Sequence, residues 1–258
     1  MCLEPSAGNG AFLPWLPHYE AYDLYPEAEE IKRQDFLTFT SDRENFITVG
    51  NPPFGSRSKL AIDFFNKAAK YSNVIAFIVP VSFMKWNVQK ELDKNFHLID
   101  YFYLEPNSFL DRDKDFSVRT VFQIWSKDKY IDKPDLRLKK APSINHEDFN
   151  IWQYNATEQA LKVIDEPWEI ATYRQGYHDY NKFFTQKDKD YLYRCMIGEE
   201  TGKKQQFFFI QPKEISKEII LKMDFNSLAE RNTSTPGFGK GDFVSYYLEL
   251  KEKIEKNK

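Results

Sequence analysis

Along the first half of the chain, short continuous apolar runs alternate with stretches in which apolar residues recur every three to four positions. Runs of the first kind read as strands covered on both faces, and stretches of the second kind as amphipathic helices. Candidate strands fall at 1–4, 19–24, 46–50, 74–80, 98–104 and 118–125. The helical pattern is plainest over 59–71, where Leu60, Phe64, Ala68 and Tyr71 share one face. This order predicts an α/β domain on a mostly parallel sheet. The last two strands flank the polar, charged segment 105–117, so they are expected to form a hairpin that closes the sheet with an antiparallel edge.

After Ser126 the pattern changes. Residues 127–142 are charged and carry prolines, which reads as a linker. Residues 143–258 are aromatic-rich, with a strand expected at 205–211 and helices at 214–223 and 246–256. The division is therefore a 1–126 domain, a 127–142 linker and a smaller 143–258 module.

With 258 residues, 41% hydrophobic and 17% aromatic, the chain can bury one sizeable core and a smaller second one. Its net charge of −3 excludes a global positive field as the basis of nucleic-acid binding, so any such surface must be local. Residues 1–126 carry 13 Lys+Arg against 17 Asp+Glu, and residues 127–258 carry 23 against 22, a slight asymmetry. Cys2 and Cys195 are the only cysteines, which excludes a disulfide framework and suits a reducing, cytoplasmic setting. No apolar run approaches the roughly 18 residues of a bilayer span, and no signal-peptide pattern opens the chain, so no membrane partner is expected.

Four short constellations carry chemistry. The first is Glu4-Pro5-Ser6-Ala7-Gly8-Asn9-Gly10, an acid at a strand end and a glycine loop that lets backbone approach a ligand before a helix begins. The second is Asp23, followed by Leu24, at the end of the next strand, where a carboxylate can accept both hydroxyls of a ribose. The third is Asp35-Phe36, an acceptor and a ring suited to an adenine. The fourth is Asn51-Pro52-Pro53-Phe54, after an apolar strand. An adenine amino group is a poor nucleophile because its lone pair is delocalised. The Asn51 side-chain oxygen and the Pro52 carbonyl are two acceptors for its hydrogens, and they stabilise the positive charge that grows on the nitrogen. The prolines fix the backbone, and Phe54 offers a face to an extruded base.

In this order the four pieces resemble the Rossmann-like, S-adenosyl-L-methionine-dependent adenine-N6 DNA methyltransferases, and the likeness extends over residues 1 to about 126, including VIAFIVPVSF at 74–83. It implies a seven-stranded sheet with an antiparallel edge hairpin. Glu4, Pro5, Ala7, Gly8 and Gly10 would hold the methionine part of the cofactor, Asp23 and Leu24 its ribose, and Asp35 and Phe36 its adenine. Asn51, next to the cofactor, would form the catalytic set with Pro52, Pro53 and Phe54. Transfer would be direct, from the sulfonium to adenine in double-stranded DNA, with the base flipped out and no metal. Restriction-modification is one setting for such an enzyme. Relatives with this motif order usually carry a segment before the glycine loop that closes over the cofactor. Here the loop lies almost at the start, which fits a fragment, a lid from elsewhere or weak cofactor affinity.

The same catalytic motif serves RNA adenosine methyltransferases and enzymes that methylate the glutamine amide of proteins. A methyltransferase-like binding subunit without activity is a further alternative. Asp111, Asp113 and Asp115 alternate as in a calcium loop, but Phe116 and Phe122 stand at the glycine and glutamate positions, so no calcium is expected. The histidines at 18, 97, 146 and 178 lack zinc spacing. The aromatic and basic segment Tyr173-Arg174-Gln175-Gly176-Tyr177, with Tyr180 and Lys182, reads equally as a nucleic-acid surface or a packed cluster. The loop Gly237-Phe238-Gly239-Lys240-Gly241 reads as a phosphate contact or a free tip.

Overall fold

Five parallel strands lie in the order β3-β2-β1-β4-β5. In the computed structural model they are β1 (Cys2–Glu4), β2 (Tyr19–Asp23), β3 (Lys32–Arg33), β4 (Phe46–Gly50) and β5 (Ser72–Pro80). The structure describes residues 1–105, 110–111, 114–115, 118–127, 133–176, 178–232 and 235–256. Beyond β5 the chain runs through β6 (His97–Tyr103), the two-residue pair β7 (Leu110–Asp111) and β8 (Lys114–Asp115), and β9 (Thr120–Ser126). β9 inserts antiparallel between β5 and β6, giving seven strands in the order β3-β2-β1-β4-β5-β9-β6. This is the expected Rossmann-like, mostly parallel seven-stranded sheet with its antiparallel edge. Asp113 and Phe116 of the segment weighed as a calcium loop lie outside the described residues.

Side chains alternate across the sheet, and its two faces are covered differently. One face packs Ile75, Phe77, Val79, Val121 and Trp125 against α1 (Lys59–Ala69) through Ala61, Phe64, Phe65 and Ala68. Phe65 meets Trp125 edge-on at 5.4 Å. Burying such a set contributes about 1.5–3 kcal/mol per large apolar side chain. A separate small cluster gathers Ala7, Leu13, Ala21 and Ile31.

The helix expected after the glycine loop is not formed. Only a one-turn 3-10 helix, Leu13–Trp15, follows the loop. Pro14 suits a first turn, but Pro17 has no N–H to continue the ladder, and Leu16 before it is extended (φ −101°, ψ 118°).

The first compact unit is Met1–Ala141 and the second Pro142–Lys258. The described part of the stretch read as a linker therefore falls, all but Pro142, in the first unit. Arg137 explains why. Its guanidinium donates to the carbonyl oxygens of Gln89, Leu92, Asp93 and Phe96 at 2.6–2.9 Å, around the end of the short α2 (Trp86–Gln89), and it lies over the Trp125 ring at 5.7 Å. Leu138 N–H adds a bond to the buried Gln89 side chain. Divided at the observed boundary, residues 1–141 carry 19 Lys+Arg against 20 Asp+Glu and residues 142–258 carry 17 against 19, so the charge asymmetry disappears.

In the second unit β12 (Gln206–Pro212) pairs antiparallel with β10 (Phe149–Tyr154) on one side and β11 (Ile170–Gln175) on the other. Phe207, Phe208, Phe209 and Ile210 are all buried, as a central strand covered on both faces requires. The helices are α3 (Lys189–Ile197), α4 (Glu214–Leu221), α5 (Phe225–Ala229) and α6 (Lys240–Lys256). α6 begins six residues before the expected start, with Asp242 accepting the Gly239 N–H.

Tyr173 and Tyr180, weighed as a nucleic-acid surface, are core residues. Tyr173 stacks on His178 at 4.1 Å, and the Tyr180 hydroxyl donates to the Pro236 carbonyl. Tyr177 lies outside the described residues. The 237–241 loop is pinned rather than free, with Gly237 bridged to Gln175 and the Phe238 N–H bonded to the Arg174 carbonyl.

Candidate active site

In open parallel sheets, ligands sit at the carboxyl ends of strands where the strand order reverses. Here that point lies between β1 and β4. Leu3 pairs with Thr48 on one side and Glu20 on the other, so the strand ends bring Glu4, Asp23 and Asn51 to one edge of the sheet.

Glu4 is the chemically unusual residue. It is 0% exposed, yet neither carboxyl oxygen has a hydrogen-bond partner. Burial pushes its pKa up to about 8; the Ser6 backbone amide offsets part of that rise, and the Asp23 charge adds to it. Two more buried acceptors, Ser6 Oγ two residues on and Asn51 Oδ1 just after β4, also lack partners. Buried polar groups are nearly always satisfied, so three such residues at the loops after β1 and β4 mark a place for a polar ligand. A Cβ at position 50 would meet Glu4 Oε1, so the glycine there lets the carboxyl keep its buried place without moving.

The Glu4 shift has a measurable sign. The folded state holds the proton more tightly than the unfolded chain, whose value is near 4.5. This contribution to stability is complete below that value and is lost as pH rises through about 8. The Tm of the ligand-free protein is expected to fall between pH 5 and pH 8.5 by more in the wild type than in Glu4→Gln. Parallel pH profiles of the two proteins would refute the assignment.

Asp23 does more than the sequence suggested. Its Oδ2 accepts the Gly8 N–H and its Oδ1 the Tyr25 N–H, each at 2.8 Å, so it latches the glycine loop to the end of β2. Each oxygen keeps a lone pair for a further donor. A Cβ built on Gly8 would meet nothing within 4 Å, so space is open above the loop. Pro5 and Ala7 are buried beneath it, Gly10 lies at its far turn, and Leu24 beside Asp23 is 49% exposed.

Asp35 and Phe36 diverge. Asp35 is exposed and caps the 3-10 turn Phe36–Thr38 by accepting the Leu37 N–H at 2.9 Å. Phe36 does not offer the open ring expected of it: it is 1% exposed and packs on Phe39 and Phe64 at 5.4 Å. Burying the ring removes its apolar surface from water, a contribution of about 1.5–3 kcal/mol.

Of the last motif, Pro52 is buried, Pro53 is exposed, and Asn51 and Phe54 are half-buried. Gly55 follows at φ +67°, ψ −177°, a conformation that L side chains rarely adopt, and a Cβ there would in addition lie 2.8 Å from that of Leu60 in the first turn of α1. Ala61 N–H bonds to the Phe54 carbonyl at 3.4 Å, tying the motif to α1. Among the described residues no group of three or more His, Cys, Asp or Glu could hold a metal ion, and no helix is long and apolar enough to cross a membrane.

No family model matches the chain. Among curated proteins it is similar to Protein ENHANCED DOWNY MILDEW 2 of Arabidopsis thaliana, 29% identical over 178 residues, covering 62% of this chain and 13% of that protein. The chain thus spans about an eighth of the length of that relative.

Three solved structures show partial likeness. The methyltransferase subunit of a type I restriction-modification system from Streptococcus thermophilus has a TM-score of 0.40 and 17% identity, covering 50% of this chain and 40% of that one. The M protein of the type I restriction enzyme EcoKI has a TM-score of 0.39 and 12% identity, over 99% and 68%. The 23S rRNA methyltransferase ErmE has a TM-score of 0.37 and 16% identity, over 48% and 60%. At these scores the fold of this chain stands on its own strand order.

Proposed function

We propose that this protein is an S-adenosylmethionine-dependent methyltransferase acting on the exocyclic amino nitrogen of adenine in nucleic acid, with double-stranded DNA as the substrate. The observation that carries this reading is the set of unpartnered buried acceptors, Glu4, Ser6 and Asn51, at the strand-order reversal of a methyltransferase-type sheet.

The residues present fit the cofactor. Glu4 suits its ammonium group, because that cation would supply the counter-charge the buried carboxyl lacks. Pro5, Ala7, Gly8 and Gly10 would border the methionine part, Asp23 and Leu24 the ribose, and Asp35 the adenine. Bound there, S-adenosylmethionine supplies an electrophilic methyl group. On the substrate side, Asn51 Oδ1 and the Pro52 carbonyl accept the two amino hydrogens and draw the nitrogen toward tetrahedral geometry. Phe54 stacks on the flipped base. These groups act by position and electrostatics, with no covalent intermediate on the chain. Neither unit is basic, so contact with the nucleic-acid backbone would come from local groups of the second unit.

A methyltransferase-like subunit without activity is the second reading. It is favoured by the three-residue turn after the glycine loop, which presents few free amides to a ligand carboxylate, and by the burial of Phe36. Transfer of tritiated methyl from S-adenosylmethionine to unmethylated DNA, to RNA and to protein, with Asn51→Ala as control, separates the readings. Label in DNA adenine that disappears in the variant is the expected result. Label in RNA or in protein would move the substrate, and cofactor binding without label in any acceptor would favour the second reading.

A further inference from the structure

The link between the Asn51–Phe54 motif and α1 is built against its own local preferences. Three of the four residues from Gly55 to Ser58 have positive φ: Gly55 at +67°, Arg57 at +52° and Ser58 at +63°. For the two that are not glycine, left-handed backbone costs of the order of 1–2 kcal/mol each. Ser58 stands at the N-cap of α1, where a serine ordinarily takes an extended backbone and bonds a first-turn amide, a contribution of about 1 kcal/mol. It makes no such bond. Its hydroxyl pairs instead with Ser82 Oγ at 2.7 Å, and Ser58 is 6% exposed. Such a conformation persists only where the surroundings hold it.

Ser82 is a firm anchor. It lies in the 3-10 turn Val81–Met84 after β5, between the buried Val81 and Phe83. That turn is itself held by Val81 N–H to the Arg119 carbonyl, by Gln89 Nε2 to the Phe83 carbonyl and by Gln123 Nε2 to the Met84 sulfur.

We infer that Ser58 and Ser82 are positioning residues, a hydroxyl latch that holds the 51–58 loop, and with it Asn51 and Pro52, against the end of β5. The latch would touch neither substrate nor cofactor. Its consequence for catalysis rests on the methyltransferase reading; its effect on the loop does not. Removing it would let the strained link relax and move the acceptors, and a displacement of about 1 Å in a positioned group can cost on the order of 10²-fold in rate.

The test uses the full chain with Ser82→Ala, Ser82→Thr, Ser58→Ala and the double alanine variant. Amide hydrogen exchange comes first: faster exchange confined to the 51–58 region in Ser82→Ala, restored by Ser82→Thr, is expected. Unchanged exchange there, or a rise spread across the first unit together with a fall in Tm, overturns the inference. Kinetics come second. Ser82→Ala should lower kcat at least ten-fold with the cofactor KM within two-fold, Ser82→Thr should recover most of the loss, and the double variant should lose no more than the single one, because the two hydroxyls form one interaction. Wild-type kcat in Ser82→Ala overturns the positioning role. If the wild type itself transfers no methyl group while the exchange result holds, the functional reading fails and the latch stands.

Discussion

Asn51→Ala is expected to lower the rate of methyl transfer at saturating cofactor by about 10²- to 10³-fold, with cofactor affinity within a few-fold of wild type. The magnitude is that of losing one preorganised dipole aimed at a developing charge. Asn51 is placed for this role directly after β4, whose last residue is Gly50. Its Oδ1 is out of water and has no partner, so it comes to the substrate already desolvated. An amide oxygen in that state does not reorganise as the amino nitrogen becomes cationic, which is why the loss should fall on kcat. Steady-state kinetics with a cofactor titration checks it: unchanged kcat removes Asn51 from the chemistry, and a parallel fall in cofactor affinity moves it to cofactor binding.

Arg137→Ala is expected to destabilise the first unit by about 3 kcal/mol and to lower its Tm by roughly 10 °C. One guanidinium donates to four carbonyls at and beyond the end of α2, and truncation removes a donor from each, leaving the Gln89 and Asp93 oxygens with only their 3.3 Å bonds to the Leu92 and Phe96 N–H groups. It also uncovers a face of Trp125. Arg137→Lys should recover less than half of the loss, since a single ammonium cannot span the four oxygens held by a planar fork. Urea unfolding followed by tryptophan fluorescence measures both variants. A loss below 0.5 kcal/mol in the alanine variant would show that the clamp is ornamental.

β5 was legible because it is largely covered on both faces and so reads as an unbroken apolar run, whereas β4 stood out as a short apolar run although its Ile47 is 43% exposed. β3 was invisible, since two charged residues, Lys32 and Arg33, form a strand only through the neighbour they pair with. The missing helix after the glycine loop did leave a sign, the prolines at 14 and 17, which the motif reading outweighed. The placement of Glu4, Asp23 and Asn51 at strand ends was legible because each closes or follows a short strand-like run. The burial of Phe36 was not, because a lone aromatic carries no mark of which way it faces.

Two devices had no sequence signal at all. Arg137 bonds to backbone carbonyls 41–48 residues away, and no pattern of side chains records that. Ser58 before a helix reads as an ordinary cap, and only its backbone angle shows that the hydroxyl is spent elsewhere.

The clamp made by Arg137 also decides where the chain can be cut. Lys139 and Lys140 are exposed, just short of the boundary between the two units. Exposed polar stretches between compact units are where proteases act first. A tryptic nick after Lys140 leaves the guanidinium and its four carbonyls on the same piece, so the 1–140 fragment should persist through digestion. A piece ending at Ser126 surrenders the clamp and should be degraded.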